Sequence, residues 1–418
     1  MNILFTVHQF FPNHYTGTER LVLNLCKQMQ RMGHRVKVLT YAVSESEGFT
    51  DSCGVLIKEY RYQGVPVVAV RHKNKTPNLV SFSIFDEQLT EIMDDILAKN
   101  HFDIIHCCHL MRIGEIVRSA QKRKIPVILT LTDFWLMCPR GIAITQGGVL
   151  CEGSNDGLRC KRECYGGGFW KDIIPERFQQ TGVVFEYAAA VVSATLFLKM
   201  MFENKGYSQN IHIIRFGKDY KNVRKNVRTY TKDSVITIGY ISSLSPHKGA
   251  LLLLDAFMQV NPKNIRMKIY GDTSSDPEYF AILKKISKGH PSIEFCGKYD
   301  YEEMPGILDS VDIIAVPSLW WENSPLVLLR SLAHNVPAIV SDLGGLTEII
   351  KDGYNGFTFT VGYSDSLTEN SKHLSEIITK ISKNVEILNE LKANIRSPPR
   401  IEEEAFEYEN LYSIYKNK

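Results

Sequence analysis

No part of this 418-residue chain is apolar for long. The most apolar stretch, AAAVVSATLFLKMM at 188–201, is broken by Lys199 and preceded by Glu186, short of the roughly 20 apolar residues that a membrane-spanning helix needs. Excess charge is lacking as well. The 49 basic and 46 acidic residues leave a formal net charge of +3, which argues against a nucleic-acid binder that works by bulk charge and makes any phosphate site local. There is no GxGxxG after the first apolar run, since FFPNHYTGTER cannot supply one, and this sets aside a dinucleotide-dependent oxidoreductase. No GxxxxGK[ST] loop, internal repeat or low-complexity block occurs. MNILFTVHQFFPN has neither a basic segment ahead of its apolar run nor a small-residue cleavage site. It therefore reads as a buried first strand rather than a signal peptide, and a cytoplasmic location is expected, with peripheral contact at the inner membrane surface left open.

What is present is length and alternation. Such a length suits two domains. Short β-branched runs (NILFTV, HRVKVLTY, FDIIHCC, IPVILTLT) alternate with helical patterns (TERLVLNLCKQMQRMG, IGEIVRSAQKRK), the signature of a doubly wound α/β domain with helices on both faces of a parallel sheet. This first domain is expected over 1–217. The basic stretch KDYKNVRKNVRTYTK at 218–232 reads as a solvated linker (218–233), with contact to anionic lipid as the other reading. A second series from SVITIGYIS to PAIVSD predicts another doubly wound domain over 234–395, and the two sets of strand ends are expected to face one interdomain cleft. In the tail, 396–418, Phe406, Tyr408, Leu411, Tyr412 and Tyr415 fall roughly on one helical face suited to packing, with packing back onto the first domain as one reading.

Three loop-to-helix junctions in the second half can carry chemistry. In GYISSLSPHKGALLLL, Lys248 offers a cation and Gly249 close backbone approach at a helix start, a combination that suits a diphosphate; a surface lysine at a helix start is the plainer reading. PSLWWENSPLVLL places Glu322 and Asn323 after a strand, where a carboxylate and an amide can accept hydrogen bonds from sugar hydroxyls, while Trp320 and Trp321 are either a flat wall or core aromatics. SDLGGLTEI brings Gly344, Gly345 and Glu348, which can approach an anion or simply cap a helix. In the first half, Gly17 and Thr18 open the first long helix next to where a substrate phosphate would lie, and His106 and His109 end a strand facing the same rim, a buried histidine satisfied by backbone being the plainer reading of either one.

Taken together and in order, "GTE", GHRVKVLTY, DIIHCCHL, VVSATLFL, IHIIRFG, LSPHKG, VPSLWWENSPLVLL, VPAIVSDLGGLTEI and DGYNGFTF resemble the family-4 retaining glycosyltransferases of the two-domain GT-B fold. DFWLMCPRG and the cysteines after it are similar to a subgroup found in bacterial polysaccharide gene clusters. The resemblance implies a nucleoside-diphosphate sugar as donor, bound mainly by the second domain, and a glycan or lipid-linked hydroxyl as acceptor. It gives Lys248 and Gly249 to the diphosphate, Glu322 to the donor sugar, and Asn323, Ser324, Pro325, Leu326, Gly344, Gly345 and Glu348 to the pocket wall, with His109, or else His106, near the transferring carbon. No cofactor is needed for catalysis on that reading, because lysine, amides and helix ends neutralise the leaving diphosphate. The sequence departs from the family pattern at three places. Arg330 stands eight residues after Glu322 where a ribose-binding glutamate is usual, Ser243 where an arginine is usual, and Thr132 where the subgroup has histidine. A weakened or inactive relative acting as a binding subunit is the alternative these departures raise.

Four of the nine cysteines, Cys138, Cys151, Cys160 and Cys164, fall in the glycine-rich stretch 138–168 at spacings of twelve, eight and three residues. Four thiolates can close a tetrahedral structural zinc site; an iron–sulfur cluster and free or redox-active thiols are the other readings.

Overall fold

The computed structural model describes residues 1–416 apart from 16, 45–46, 167–169, 208–209, 221–222, 224 and 363–365. Part of the cysteine-bearing stretch (167–168) and of the basic stretch (221, 222 and 224) therefore lies outside the described residues. In chain order the first elements are β1 (Asn2–Val7), α1 (Gly17–Arg31), β2 (Arg35–Tyr41), β3 (Thr50–Ser52), β4 (Val55–Tyr62), β5 (Val65–His72), α2 (Pro77–Val80), α3 (Thr90–Lys99), β6 (Ile104–Cys107), α4 (Glu115–Lys122), β7 (Val127–Leu131), α5 (Leu158–Cys160), α6 (Trp170–Tyr187), β8 (Ala188–Ser193), α7 (Leu196–Glu203) and β9 (Ile211–Ile213). They continue with β10 (Ile236–Ile241), α8 (Ala250–Val260), β11 (Ile265–Tyr270), α9 (Pro277–Ile286), β12 (Ile293–Gly297), α10 (Met304–Asp309), β13 (Ile313–Val316), α11 (Leu326–Ala333), β14 (Ala338–Ser341), α12 (Leu346–Ile349), β15 (Gly356–Phe359), α13 (Leu367–Lys383), α14 (Ile387–Ala393) and α15 (Ile401–Tyr415). The chain divides into two compact α/β units, one of Met1–Gly217 with Ile401–Lys418 and one of Lys218–Arg400.

In the first unit the described strands run β3-β4-β5-β2-β1-β6-β7-β8-β9. Central β1 is covered on both faces: Ile3, Leu4, Phe5 and Val7 have no exposed surface, which is why NILFTV shows no polar alternation. Helix α1 turns Leu21, Val22, Leu25, Cys26 and Met29 inward at helical spacing against that strand. One feature departs from the parallel pattern expected of the sequence. β3, β4 and β5 pair antiparallel at the sheet's edge, joined by Cys53-Gly54 and Gln63-Gly64, all four with positive φ. Two-residue turns of this hand match strand twist, and a glycine in the second place makes them inexpensive.

Helix α15 completes the first unit. Ala405, Tyr408, Leu411 and Tyr412 join the cluster of Val22, Leu25, Cys26 and Cys108. Phe406 does not share that face and is 57% exposed, since a residue two positions before Tyr408 lies about 200° round the helix from it.

In the second unit the order β12-β11-β10-β13-β14-β15 is parallel throughout. α10, α11 and α12 pack on one face through Leu308, Leu328, Leu332 and Leu346. The basic stretch expected to be a solvated linker is instead strapped to this unit. Tyr230 is buried and its hydroxyl donates to Asp312, which also accepts from Arg228 and from the Thr237 amide, while Lys392 donates to Asn226 and to the Arg228 carbonyl. A buried carboxylate with three donors is what holds the stretch down. No described helix is long and apolar enough to cross a membrane.

Candidate functional site

Each unit carries its own cluster of polar side chains at carboxyl strand ends. In the first unit the strand order sets β1, β6 and β7 side by side, so the residues that follow them, His8, His109 and Asp133, converge. His109 is buried. Its Nδ1 accepts the Met111 amide (3.2 Å), so Nε2 carries the proton and donates to Asp133 Oδ2 (3.1 Å). Asp133 Oδ1 in turn accepts the Trp135 amide at 2.7 Å, which fixes the carboxylate. The His109 ring lies 4.2 Å from that of His8 and 5.3 Å from that of Trp135. His8 Nε2 stands 3.5 Å from Glu19 Oε1, and Nδ1 is sealed from solvent without a hydrogen-bond partner. Burial first, then His109, Arg112 and His14, holds the His8 pKa well below that of an ordinary histidine. A narrow cleft opens beside His109, Thr132, Asp133 and Trp135. Thr132 donates to the Cys108 carbonyl and so anchors the strand end.

His8 and Asp133 are not conspicuous in the sequence, the usable signal being a polar residue within two positions of the end of a mostly apolar strand, whereas Glu19 lies in the GTE stretch that opens α1. His106 belongs elsewhere. It is fully buried, with Nδ1 2.6 Å from the Tyr412 hydroxyl and Nε2 2.7 Å from Thr130 Oγ1, and burial pushes its pKa down to about 3. It is a core histidine under α15, with no nitrogen left for a substrate. Gly17 is exposed where α1 begins.

In the second unit Lys248, after β10, and Glu322, after β13, belong to adjacent strands and meet. Lys248 Nζ is 2.6 Å from Glu322 Oε1, which also accepts Ser318 Oγ (2.8 Å) and Trp320 Nε1 (2.7 Å). Burial would raise the Glu322 carboxyl, but Lys248, with Ser318 and Trp320, outweighs it and holds the group below its ordinary value. The Lys248 ammonium also sits 4.4 Å from the Trp320 ring centre, so this tryptophan is a part of the ion pair rather than a passive wall. Among the described residues all three donors converge on Oε1, leaving Oε2 for a ligand.

The glycines serve this loop. A Cβ on Gly249 (φ 75°) would fall 1.7 Å from the Pro317 carbonyl oxygen, and one on Gly344 (φ 62°) 2.3 Å from that of Glu322. The Gly345 amide donates to the Glu322 carbonyl at 2.7 Å. Gly344 and Gly345 thus clamp the Glu322 backbone, and the Gly345 N–H is spent there rather than offered to an anion. Asn323 is buried, Ser324 and Glu348 are half-buried, and Pro325 caps α11, accepting the Leu328 and Leu329 amides before Leu326 begins the helix.

Arg330, one turn into α11, is 9% exposed, with its guanidinium carbon 4.3 Å from the Tyr301 ring centre and Nε sealed without a partner. A cation–π contact contributes about 1–2 kcal/mol, less than the several kcal/mol that burying an ion costs. Ser243 brings no charged group, and its backbone carbonyl accepts from the Tyr240 hydroxyl.

Cys138, Cys151, Cys160 and Cys164 line one narrow cleft in the first unit, with Arg140, Arg159 and Tyr165. Burial, then the other three thiols, pushes Cys160 up to about 12. The four are gathered but unbonded, and among the described residues no three side chains already form a metal-ligand set.

Comparison with known proteins gives the family. The profile of Glycosyltransferase Family 4 matches residues 15–217 and that of the Glycosyl transferases group 1 matches 235–377. Over 184 residues (40% of this chain, 48% of the relative) the chain is 27% identical to lipopolysaccharide 1,2-N-acetylglucosaminetransferase of Salmonella typhimurium. Over 136 residues (32% and 36%) it is 25% identical to an uncharacterised 41.2 kDa protein in the cps region of Klebsiella pneumoniae. The chain spans about half or less of the length of these relatives. Among solved structures, Anabaena HepE in complex with UDP and glucose superposes with a TM-score of 0.69 at 16% identity, covering 99% of this chain and 100% of that one. Sucrose-phosphate synthase from Thermosynechococcus elongatus gives 0.71 at 13% identity with full coverage of both. With a Family 4 module in its first half, a group 1 module in its second and two Rossmann-like units, the chain belongs to the GT-B glycosyltransferases.

Proposed function

We propose that the protein moves a hexose-type sugar, with retention at the anomeric carbon, from a nucleoside-diphosphate sugar to a hydroxyl of a glycan or lipid-linked acceptor in cell-surface polysaccharide synthesis. The observation that carries the reading is the pair of half-buried Lys248 and buried Glu322 at adjacent carboxyl strand ends, with Glu322 Oε2 unengaged among the described residues. Lys248 holds the diphosphate, which competes with Glu322 for the ammonium, and Glu322 takes hydrogen bonds from donor-sugar hydroxyls through Oε2. The acceptor oxygen bonds to C1 as the bond from C1 to the diphosphate oxygen breaks, and the hydroxyl proton leaves with the diphosphate. Lys248 stabilises the charge that develops on the leaving group without a metal. The His109–Asp133 pair orients the acceptor hydroxyl on the first unit.

A second reading, a binding subunit that no longer transfers sugar, is favoured by Arg330 standing buried where the family pattern has an acceptor for ribose. A transfer assay with labelled nucleotide sugars and a lipid-linked acceptor separates the two. Transfer with retained configuration is expected. A folded protein that neither transfers nor hydrolyses any donor, and gives no heat of donor binding, overturns the enzyme.

A further inference from the structure

We propose that Arg330 is a second cationic contact for the diphosphate of the donor. This rests on the donor reading above and adds to it a residue whose place in the sequence counts against donor binding. A guanidinium 91% buried with no counter-charge is costly in the free protein, and Tyr301 orients it without neutralising it. Its Nε is closed off from water and has no hydrogen-bond partner among the described residues, while the two terminal nitrogens are not sealed in this way and stay open to a ligand.

Its position is on the ligand side of the sheet. Tyr301 lies just past the carboxyl end of β12, and α11 begins directly after the loop that holds Glu322. Arg330 therefore shares the carboxyl edge with Lys248, the edge at which doubly wound sheets bind their ligands.

Charge balance selects the group it takes. Lys248 and Glu322 cancel one another, and Ser243 brings no charge. The diphosphate bridge of a nucleotide sugar carries two negative charges, so the pair alone meets it with none. Arg330 restores a positive excess. A ribose hydroxyl would satisfy N–H groups but bring no counter-charge, whereas a phosphate supplies both, and the planar fork of a guanidinium fits two phosphate oxygens.

The test is calorimetry on the full chain with the free nucleoside, its monophosphate and its diphosphate, using the base that wild type binds. Arg330→Met should weaken the diphosphate about tenfold or more and the free nucleoside less than about twofold, and added salt should narrow the gap. Arg330→Lys, which keeps the charge, should retain most of the diphosphate affinity. Arg330→Gln serves as a second neutral variant if Met does not fold, which thermal melting reports. Equal losses for nucleoside and diphosphate, or no loss in a folded neutral variant, overturn the proposal. Wild type that binds no nucleoside diphosphate at all overturns the donor reading with it, whereas wild type that binds and a neutral variant that binds as well overturn this inference alone.

Discussion

The ammonium of Lys248 lies 2.6 Å from the carboxylate of Glu322, 74 residues further along the chain. Each side chain keeps the other from being a buried, unanswered charge. Lys248→Ala should therefore do two things: weaken donor binding by about tenfold or more through loss of a charge-assisted contact, and lower stability by about 3 kcal/mol because Glu322 is stranded. Glu348→Gln should change donor affinity by less than about threefold. Calorimetry with thermal melting reads both, and equal effects on affinity would remove Lys248 from the diphosphate. The carboxyl of Glu322 is depressed in the folded state, so its contribution is present above its ordinary value of 4.5 and is lost as pH falls below it. Glu322→Gln should flatten that part of the acid-stability curve.

Asp133 accepts the proton-bearing Nε2 of His109, whose tautomer the Met111 amide sets at Nδ1, and so holds the ring in place. Asp133→Asn presents an amide in place of an acceptor-only carboxylate, so the ring loses its charged partner and keeps only the Met111 amide. Transfer rate should fall by about a hundredfold, as for loss of an orienting group, while donor affinity changes less than twofold because the donor groups lie on the other unit. A loss of donor affinity equal to the loss of rate would count against an acceptor-side role.

His106 stays neutral in the folded protein at a pKa near 3, whereas in the unfolded chain it titrates near 6.5. Its folded-state pKa is depressed, so the unfolded state gains protons first, and stability declines as pH falls below 6.5, by up to about 1.4 kcal/mol per pH unit for this group. His8, also depressed by burial, adds to the same slope. Denaturant midpoints from pH 7 to 5 should show the decline, and His106→Gln should make it shallower. A midpoint independent of pH across that window would contradict the buried neutral pair.

The four thiols around one cleft are proposed to take up a structural zinc ion. Cys138, Cys151, Cys160 and Cys164 all line the same cleft, and four thiolates are the donor set of a closed tetrahedral site. Metal analysis of protein purified without chelator should give about one equivalent of zinc, falling with Cys160→Ser together with the melting temperature. Less than about a tenth of an equivalent, or iron in its place, sinks zinc.

Much of the framework is legible because periodicity is local. NILFTV is a covered strand and TERLVLNLCKQM an amphipathic helix whatever surrounds them, and the second unit's strands follow the same logic. The antiparallel edge is harder to see, since β4 and β5 look like any other β-branched runs until Gln63-Gly64 is recognised as a two-residue turn. The basic stretch misleads because charge density there suggests solvent, whereas Tyr230 and the distant Asp312 decide the outcome. Lys248, Glu322 and His109 can be picked out from their positions after strands. Their partners cannot, because Asp133 and His8 reach His109 only through the order of β1, β6 and β7 in the sheet. At Arg330 the sequence shows a missing acceptor, and only the packed structure shows an unanswered cation.

The docking of α15 has a consequence for the order in which the molecule can be assembled. The helix that gives His106 its Tyr412 partner and closes the groove over Val22, Leu25 and Cys108 is synthesised after the whole second unit. Until it arrives, the first unit holds an apolar groove open and a buried imidazole lacking one of its bonds. Maturation of the first-made sheet is thereby timed to the completion of residues 218–400, and a chain interrupted within them would carry an unfinished first unit as well as an unfinished second.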